Sequence, residues 1–177
     1  MNIKNKAEIV FCLFFILCIS GMVMGALTPV PISTILAGVN FTVVYAFNAS
    51  SQAYMSYTPD MPEFATVTQM IPGQQGYWIY SNENKTVQIN GTEISSSDYG
   101  GSIKTGWNLV GYAKTTPTSI GTLLSGLNYT VVYGFNASSQ SYASYTPDMP
   151  EFATVTTMEA GKGYWIYANT NATWTYT

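Results

Sequence analysis

The chain has 177 residues, of which 47% are hydrophobic, 15% are aromatic and only 8% are charged. This length suits one compact domain or two small ones, and the apolar content excludes a disordered chain. Histidine is absent, the six basic residues are all lysines and the formal net charge is −3, which disfavours a nucleic-acid partner and an enzyme that uses the commonest general base.

The N-terminal segment, residues 1–26, has the features of a signal peptide. Two lysines precede an unbroken apolar run from Ile9 to Ile19, and Gly25 offers a small residue at the cleavage position. An uncleaved membrane anchor is the alternative, because Ile9 to Leu27 carries no charge and is just long enough to span a bilayer. In either case we expect the rest of the chain to be exported, and to contact a membrane only through this segment if it stays attached.

Both cysteines of the chain, Cys12 and Cys18, lie in this N-terminal segment. The remaining residues can therefore form neither a disulfide scaffold nor a thiolate metal site. We expect an exported domain that rests on burial of its core alone.

The rest of the chain consists of two copies of one unit. The sequence from Asn40 to Met70 matches the sequence from Asn128 to Met158 at 26 of 31 positions. Downstream, GYWIY occurs in both copies. We therefore divide the chain into unit 1, residues 27–104, and unit 2, residues 105–177, which arose by a recent duplication.

In chain order, each unit is predicted to have a short helix followed by strands. The helices are expected at Ile32–Val39 and Ile120–Leu127, where Ser and Thr lie at the start and Gly follows the last apolar turn. Runs rich in β-branched and aromatic residues predict the strands, which are Thr42–Phe47, Gln52–Thr58, Tyr77–Tyr80, Thr130–Phe135, Gln140–Thr146 and Tyr164–Tyr167. Between the units, Thr86–Ile94 contains Asn90-Gly91 and predicts a linker hairpin over 86–94. The predicted fold class is mainly β, with two tandem sheet-rich units that are sandwich- or barrel-like.

One predicted strand has no copy in unit 1. Gly106–Ala113, with the sequence GWNLVGYA, is expected to be the first strand of unit 2, whereas unit 1 begins with LTPVP, a poor strand. Unit 1 therefore lacks an edge strand of its own. Either Thr92–Lys104 folds back or the two units share one sheet, or a strand from a neighbouring subunit fills the gap by β-augmentation.

The GWNLVGY start and the GKGYWIY close of unit 2 resemble a tandem repeat of archaeal and bacterial cell-surface proteins, which are S-layer-like or secreted. The matching positions are Gly106, Trp107, Asn108, Leu109, Tyr129, Val132, Tyr133, Tyr145, Pro147, Pro150, Gly161, Lys162, Gly163, Tyr164, Trp165 and Ile166. Unit 1 matches from Val39 to Tyr80, but it lacks GWNL and has GQQG in place of GKG. The resemblance implies an envelope or extracellular module without catalytic residues.

Seven asparagines lie in Asn-x-Ser/Thr sequons, the acceptor pattern for N-glycosylation. They are Asn40, Asn48, Asn84, Asn90, Asn128, Asn136 and Asn171. Attached glycans would supply the solubility that so few charges cannot. The alternative is that Ser and Thr fill exposed strand faces while Asn fills turns. Asn90, at the predicted hairpin tip, is the easiest acceptor, and Asn40 and Asn128, just before strands, are expected to be partly shielded.

The loop TPDMPEF occurs twice and carries two carboxylates in each copy. These residues are Asp60, Glu63, Asp148 and Glu151. Such a pair can bind calcium or act in acid–base chemistry. The favoured interpretation is a structural turn, because Asp after Pro is ordinary turn chemistry and a calcium site needs more oxygen ligands than the loop offers.

Aromatic residues are abundant, and their positions suggest two roles. Trp78, Trp107 and Trp165 lie in apolar strands and are predicted to belong to the core. The tyrosines that flank the loops are candidates for an exposed row that stacks on sugars, and they are Tyr54, Tyr57, Tyr142 and Tyr145.

Together these features favour a non-enzymatic structural glycoprotein of an archaeal-type envelope. It would act by assembly or adhesion, with itself or other envelope proteins as partners and without a cofactor. It could be a filament or layer subunit that strand exchange completes. The alternative is a carbohydrate-binding, lectin-like module with glycans as its partners.

Overall fold

The computed structural model describes residues 7–11, 29–71, 74–85 and 100–175, and of residues 7–11 it describes the backbone alone. Within these ranges, two four-stranded antiparallel sheets and three two-stranded sheets are formed. The prediction of a mainly β fold is confirmed, and the described part contains no closed barrel. The predicted hairpin over 86–94 lies outside the described residues.

The strands and helices are numbered in chain order. Before residue 100 they are β1 (Ala7–Phe11), β2 (Val30–Pro31), α1 (Ile32–Ile35), β3 (Phe41–Asn48), β4 (Ala53–Tyr57), β5 (Gln69–Met70) and β6 (Tyr77–Ser81). From residue 100 they are β7 (Gly100–Ile103), β8 (Gly106–Gly111), β9 (Thr118–Ser119), α2 (Ile120–Leu123), β10 (Tyr129–Asn136), β11 (Ser141–Tyr145), β12 (Thr157–Met158), β13 (Gly163–Ala168) and β14 (Ala172–Thr175). Short 3-10 turns lie at Pro62–Phe64 and Pro150–Phe152.

Each four-stranded sheet is built on the strands of one unit, with β1 from outside residues 27–104 completing the sheet of unit 1, and the two sheets have equivalent strand orders. The sheet of unit 1 has the order β1-β6-β3-β4, and that of unit 2 has the order β8-β13-β10-β11. A β-bulge interrupts the pairing of β3 with β6 between Phe41 and Val43, and the same irregularity lies between Tyr129 and Val131 in unit 2. The duplicated sequence therefore folds the same way twice, including its local irregularity.

The two helices are shorter than predicted, with one turn each. The Ser and Thr residues and the glycine in these segments are weak helix formers. After α1, the backbone turns at Gly38, whose φ is +74°. The expected helices over Ile32–Val39 and Ile120–Leu127 are correct in position and wrong in length.

The core of each unit packs its helix against one face of its sheet. In unit 1 the buried cluster includes Ile32, Leu36, Val44, Tyr77 and Ile79. The equivalent positions form the core of unit 2, where Ile103 of β7 and Trp174 of β14 are added. The partners β7 and β14 pair with each other, so this two-stranded sheet extends the core of unit 2.

The edge of the unit 1 sheet is filled by β1, which lies in the segment predicted to be a signal peptide. Strand β1 pairs antiparallel with β6 along all five of its residues. The expectation that Thr92–Lys104 folds back onto unit 1 is wrong for its described part, because Gly100–Ile103 pairs with β14 instead. The two units are bridged where Gly76 donates its backbone N–H to the Leu109 carbonyl at 3.1 Å.

Candidate interaction surfaces

The TPDMPEF loops are the most exposed apolar features of the described chain. Phe64 and Phe152 are both 74% exposed, and Met61 and Met149 are both 52% exposed. Side chains of this size are normally buried. The two loops thus present identical apolar side chains to the surroundings.

Hydrogen bonds hold these loops in one shape. In unit 1, the Met61 N–H donates to the Thr58 carbonyl and the Phe64 N–H donates to the Met61 carbonyl, both at 3.2 Å. Thr66 then bonds back to β4, where its hydroxyl accepts the Ser56 N–H at 2.8 Å. Unit 2 repeats these bonds, with Ser144 donating to Thr154 at the same distance. The exposed side chains therefore project from a stiff base.

The carboxylates of the loops are exposed and are not gathered into a metal site. Asp60, Glu63, Asp148 and Glu151 lie on the surface. Among the described residues, no group of three or more Asp, Glu, His or Cys side chains could hold a metal ion. The hydrogen bonds within the loops fit the structural-turn interpretation.

The three strand tryptophans are not core residues, so that prediction is wrong. Trp78, Trp107 and Trp165 are half-buried. Successive side chains of a strand point to opposite faces, and the neighbouring Tyr77 and Tyr164 take the core positions. The tyrosine hydroxyls find partners there, since Tyr77 accepts the Ile71 N–H at 2.7 Å and Tyr164 accepts the Glu159 N–H at 2.9 Å.

The tryptophans instead form contacts between the two units. Trp165 of unit 2 lies against Phe47 and Tyr54 of unit 1, with ring centroids 5.0 and 6.0 Å apart. Reciprocally, Trp78 of unit 1 lies against Phe135 and Tyr142 of unit 2, at 4.5 and 6.0 Å. We call these rings, with Trp107 and Tyr133 between them, the aromatic band.

The predicted row of four tyrosines is divided between two faces. Tyr54 and Tyr142 are 63% and 58% exposed and belong to the aromatic band. Tyr57 and Tyr145 are half-buried and pack against the cores of their units. The four side chains therefore cannot form one sugar-binding row.

The residues of the GWNL and GKG motifs have structural partners. Asn108 is 2% exposed. Its side chain accepts the Lys104 N–H at 2.8 Å and donates to the Lys104 and Gly106 carbonyls at 2.7 and 3.0 Å. Lys162 pairs with Glu159 at 2.8 Å. Asn108 and Lys162 thus both have structural contacts within unit 2.

The described sequon asparagines are all exposed, and Asn90 lies outside the described residues. The exposed ones are Asn40, Asn48, Asn84, Asn128, Asn136 and Asn171. The expectation that Asn40 and Asn128 are shielded is wrong. Their Oδ1 atoms accept bonds from the Nδ2 atoms of Asn82 and Asn169, at 3.0 and 2.7 Å, and so each amide is held at the surface rather than buried.

A hydrogen-bonded pair of tyrosines distinguishes unit 2 from unit 1. Burial, the charge of Tyr145 and the hydrogen bond to Tyr145 together raise the pKa of Tyr129 from 10.0 to about 12. In unit 1 the equivalent position is Phe41, whose ring stacks on Tyr57 at 6.3 Å. Tyr129 belongs to the core of unit 2, and Tyr145, which directly precedes the second exposed loop in the sequence, packs against that core.

An uncharged cleft of about 440 Å³ lies between α2 and β14. Its lining residues are uncharged and include Thr118, Thr122, Ser125, Thr173 and Trp174. The sequence alone does not predict this cleft, because β14 and α2 are far apart in the chain.

Comparison with known proteins identifies no relative. No family model matches the chain, and no similar curated protein or solved structure was found. Within the described ranges, no helix has both the length and the apolar character needed to cross a membrane.

Proposed function

We propose that this protein is a secreted or cell-surface structural glycoprotein of an archaeal-type envelope, which acts by assembly or adhesion. The observation that carries the proposal is the pair of exposed TPDMPEF loops. Each presents a phenylalanine that is 74% exposed on a hydrogen-bonded base. Aromatic residues and methionine are enriched where proteins bind one another.

Duplication makes this surface bivalent. Two identical loops on one chain can engage two identical sites, and the second contact then forms at a high effective concentration. Because the loops are already ordered by their 3-10 turns, binding would cost little conformational entropy. A weak single contact would suffice in an assembled layer or filament.

The surface polarity agrees with a glycosylated exterior. The six described sequon asparagines are exposed, and charged residues make up only 8% of the chain. Sugars on these amides would keep such a surface soluble. The apolar N-terminal segment and the resemblance to cell-surface repeats supply the expected location.

The decisive experiment is the intact mass of the protein purified from its own cells, measured before and after chemical deglycosylation. We expect a mass for residues 26 or 27 to 177 plus heterogeneous sugar, with the protein in the envelope or medium. A bare, full-length protein recovered from inside the cell would overturn the proposal.

A carbohydrate-binding module is the second candidate, and the aromatic band favours it. Tyr54 and Tyr142 expose much of their ring surface, and aromatic rings can stack on the apolar faces of sugars. A glycan array should then give a signal that Tyr54→Ala or Tyr142→Ala removes. Tyr57→Ala, whose ring packs on the core side, tests whether folding alone explains the loss. A blank array would exclude this candidate.

A further inference from the structure

The two units differ in where their edge strand comes from. In unit 2, β8 pairs with β13 along six residues, from Gly106 opposite Ala168 to Gly111 opposite Gly163. Its Val110 is buried in the core of that unit. Unit 2 is therefore complete with a strand from within its own residues, 105–177.

In unit 1, β1 occupies the equivalent edge in the equivalent register. Ala7 lies opposite Ser81 and Phe11 lies opposite Tyr77. Ser81 and Tyr77 correspond to Ala168 and Tyr164 of β13, so Ala7 takes the place of Gly106 and Phe11 takes the place of Val110. The edge of β6 therefore accepts a strand from outside residues 27–104.

Other sheet edges in the described part are covered by neighbouring residues of the chain. The outer edge of β4 is covered where Thr66 and Val67 donate their N–H groups to the Ser56 carbonyl, and β11 is covered in the same way at Ser144. At β8, the Gln52 side chain accepts the Trp107 N–H at 2.8 Å and donates to the Trp107 carbonyl at 2.9 Å. These contacts protect the edges against pairing with another chain.

We propose that the edge of β6 is a strand-acceptor site, which Ala7–Phe11 covers until the N-terminal segment is removed and which a second copy of the chain then covers. The proposal rests on the proposed function, since export processing is the step that would remove β1. Removal would leave β6 of each copy without its cover. Two β6 strands would then pair antiparallel about a two-fold axis.

This pairing preserves the packing of unit 1. A two-fold axis perpendicular to the sheet keeps Tyr77, Ile79 and Ser81 of both copies on the core face. Backbone N–H and C=O groups that β1 had satisfied regain partners. Processing would thus convert a self-covered monomer into an assembling subunit.

The experiment uses the full chain with a specific protease site in place of residues 20–25, produced without glycosylation. Sedimentation is measured before cutting, and again after cutting and removal of the released peptide by gel filtration. We expect a monomer before the cut and a concentration-dependent doubling of molar mass after it. A synthetic peptide with the sequence of Thr105–Ala113 should compete for the site and restore the monomer.

Matched lysine substitutions locate the interface. Tyr80→Lys places a charge on the acceptor strand, where pairing between two copies would bring two like charges close together on the outer face of the joined sheet. Tyr167→Lys makes the same change at the equivalent position of β13, whose edge β8 already covers. After cutting, the first variant should stay monomeric and the second should double in mass, while circular dichroism of both uncut variants shows whether they fold.

Three results would overturn the proposal. They are a cut chain that stays monomeric at high concentration, an uncut chain that is equally dimeric, and a dimer that persists with Tyr80→Lys and excess peptide. None of them depends on sugar or on cellular location. A negative result in this experiment therefore does not change the outcome of the mass measurement that tests the proposed function. A negative mass measurement likewise does not change the outcome of this experiment.

Discussion

The Asn108 side chain stabilises the turn at the start of β8. It is buried, and its amide satisfies both backbone groups of Lys104 as well as the Gly106 carbonyl. The neighbouring Gly106 has φ +95°, and a Cβ there would lie 2.7 Å from Gln52 Oε1. Gly106 and Asn108 of the GWN sequence therefore both have a structural role in this turn.

We predict that Asn108→Ala lowers the free energy of unfolding by about 2 kcal/mol, because it leaves buried polar groups without partners. Urea unfolding at neutral pH measures this change. Asn169→Ala removes an exposed asparagine and should cost less than about 1 kcal/mol. Equal losses in the two variants would contradict the structural role assigned to Asn108.

Tyr129 makes stability depend on pH in the alkaline range. Its pKa is raised from 10.0 to about 12 in the folded protein, so between these values the unfolded chain loses its proton while the folded chain keeps it. The contribution of Tyr129 to the free energy of unfolding is therefore fully present below pH 10. It is lost as the pH rises towards 12, which lowers the free energy of unfolding by roughly 2–3 kcal/mol.

We predict that Tyr129→Phe reduces this alkaline loss, because it recreates the Phe41 arrangement of unit 1. Urea unfolding at pH 9 and at pH 11.5 gives the difference for each variant. Tyr54→Phe, which changes an exposed tyrosine, should leave the wild-type pH dependence intact. An unchanged dependence in Tyr129→Phe would show that another group is responsible.

At the scale of elements, the sequence predicts the positions of the strands but not which residues cover each of their faces. The residues from Thr42 to Phe47 and from Thr130 to Phe135 form strands as expected, because β-branched and aromatic residues fit a pleated surface. The same alternation does not tell which face another unit will cover. The alternation therefore predicts the tryptophans in the core, whereas they are half-buried on the opposite face of the sheet.

The loops provide the element-scale prediction. Phe64→Ser with Phe152→Ser should change the free energy of unfolding by less than about 0.5 kcal/mol, since both rings are exposed. The double variant should nevertheless lose binding to isolated envelopes of the same cells in a pelleting assay. Each single variant should keep part of it, as expected for two equivalent contacts. Wild-type binding by the double variant would refute the role of the loops.

At the scale of the whole molecule, the aromatic band couples the units. Trp78 and Trp165 each reach across to a phenylalanine and a tyrosine of the other unit. The contacts are reciprocal, as in an isologous dimer interface. Gln52 adds two hydrogen bonds from unit 1 to Trp107 of unit 2.

We predict that Trp78→Ala and Trp165→Ala each lower the free energy of unfolding by about 2–3 kcal/mol, because both rings are half-buried against other aromatic rings. The wild type should melt in one transition and the double variant in two, as calorimetry would show. Two transitions in the wild type would mean that the units fold independently.

By itself, the sequence determined the duplication, which is visible as a repeat of residues, and the mainly β character, which follows from local composition and from periods of two residues. Tertiary structure alone decided that the tryptophans join the units, that Tyr57 and Tyr145 face the cores, and that β6 pairs with Ala7–Phe11. The physical reason is that alternating side chains give each strand two faces, while its backbone groups leave two edges for hydrogen bonding. The neighbours that cover them come from distant parts of the chain.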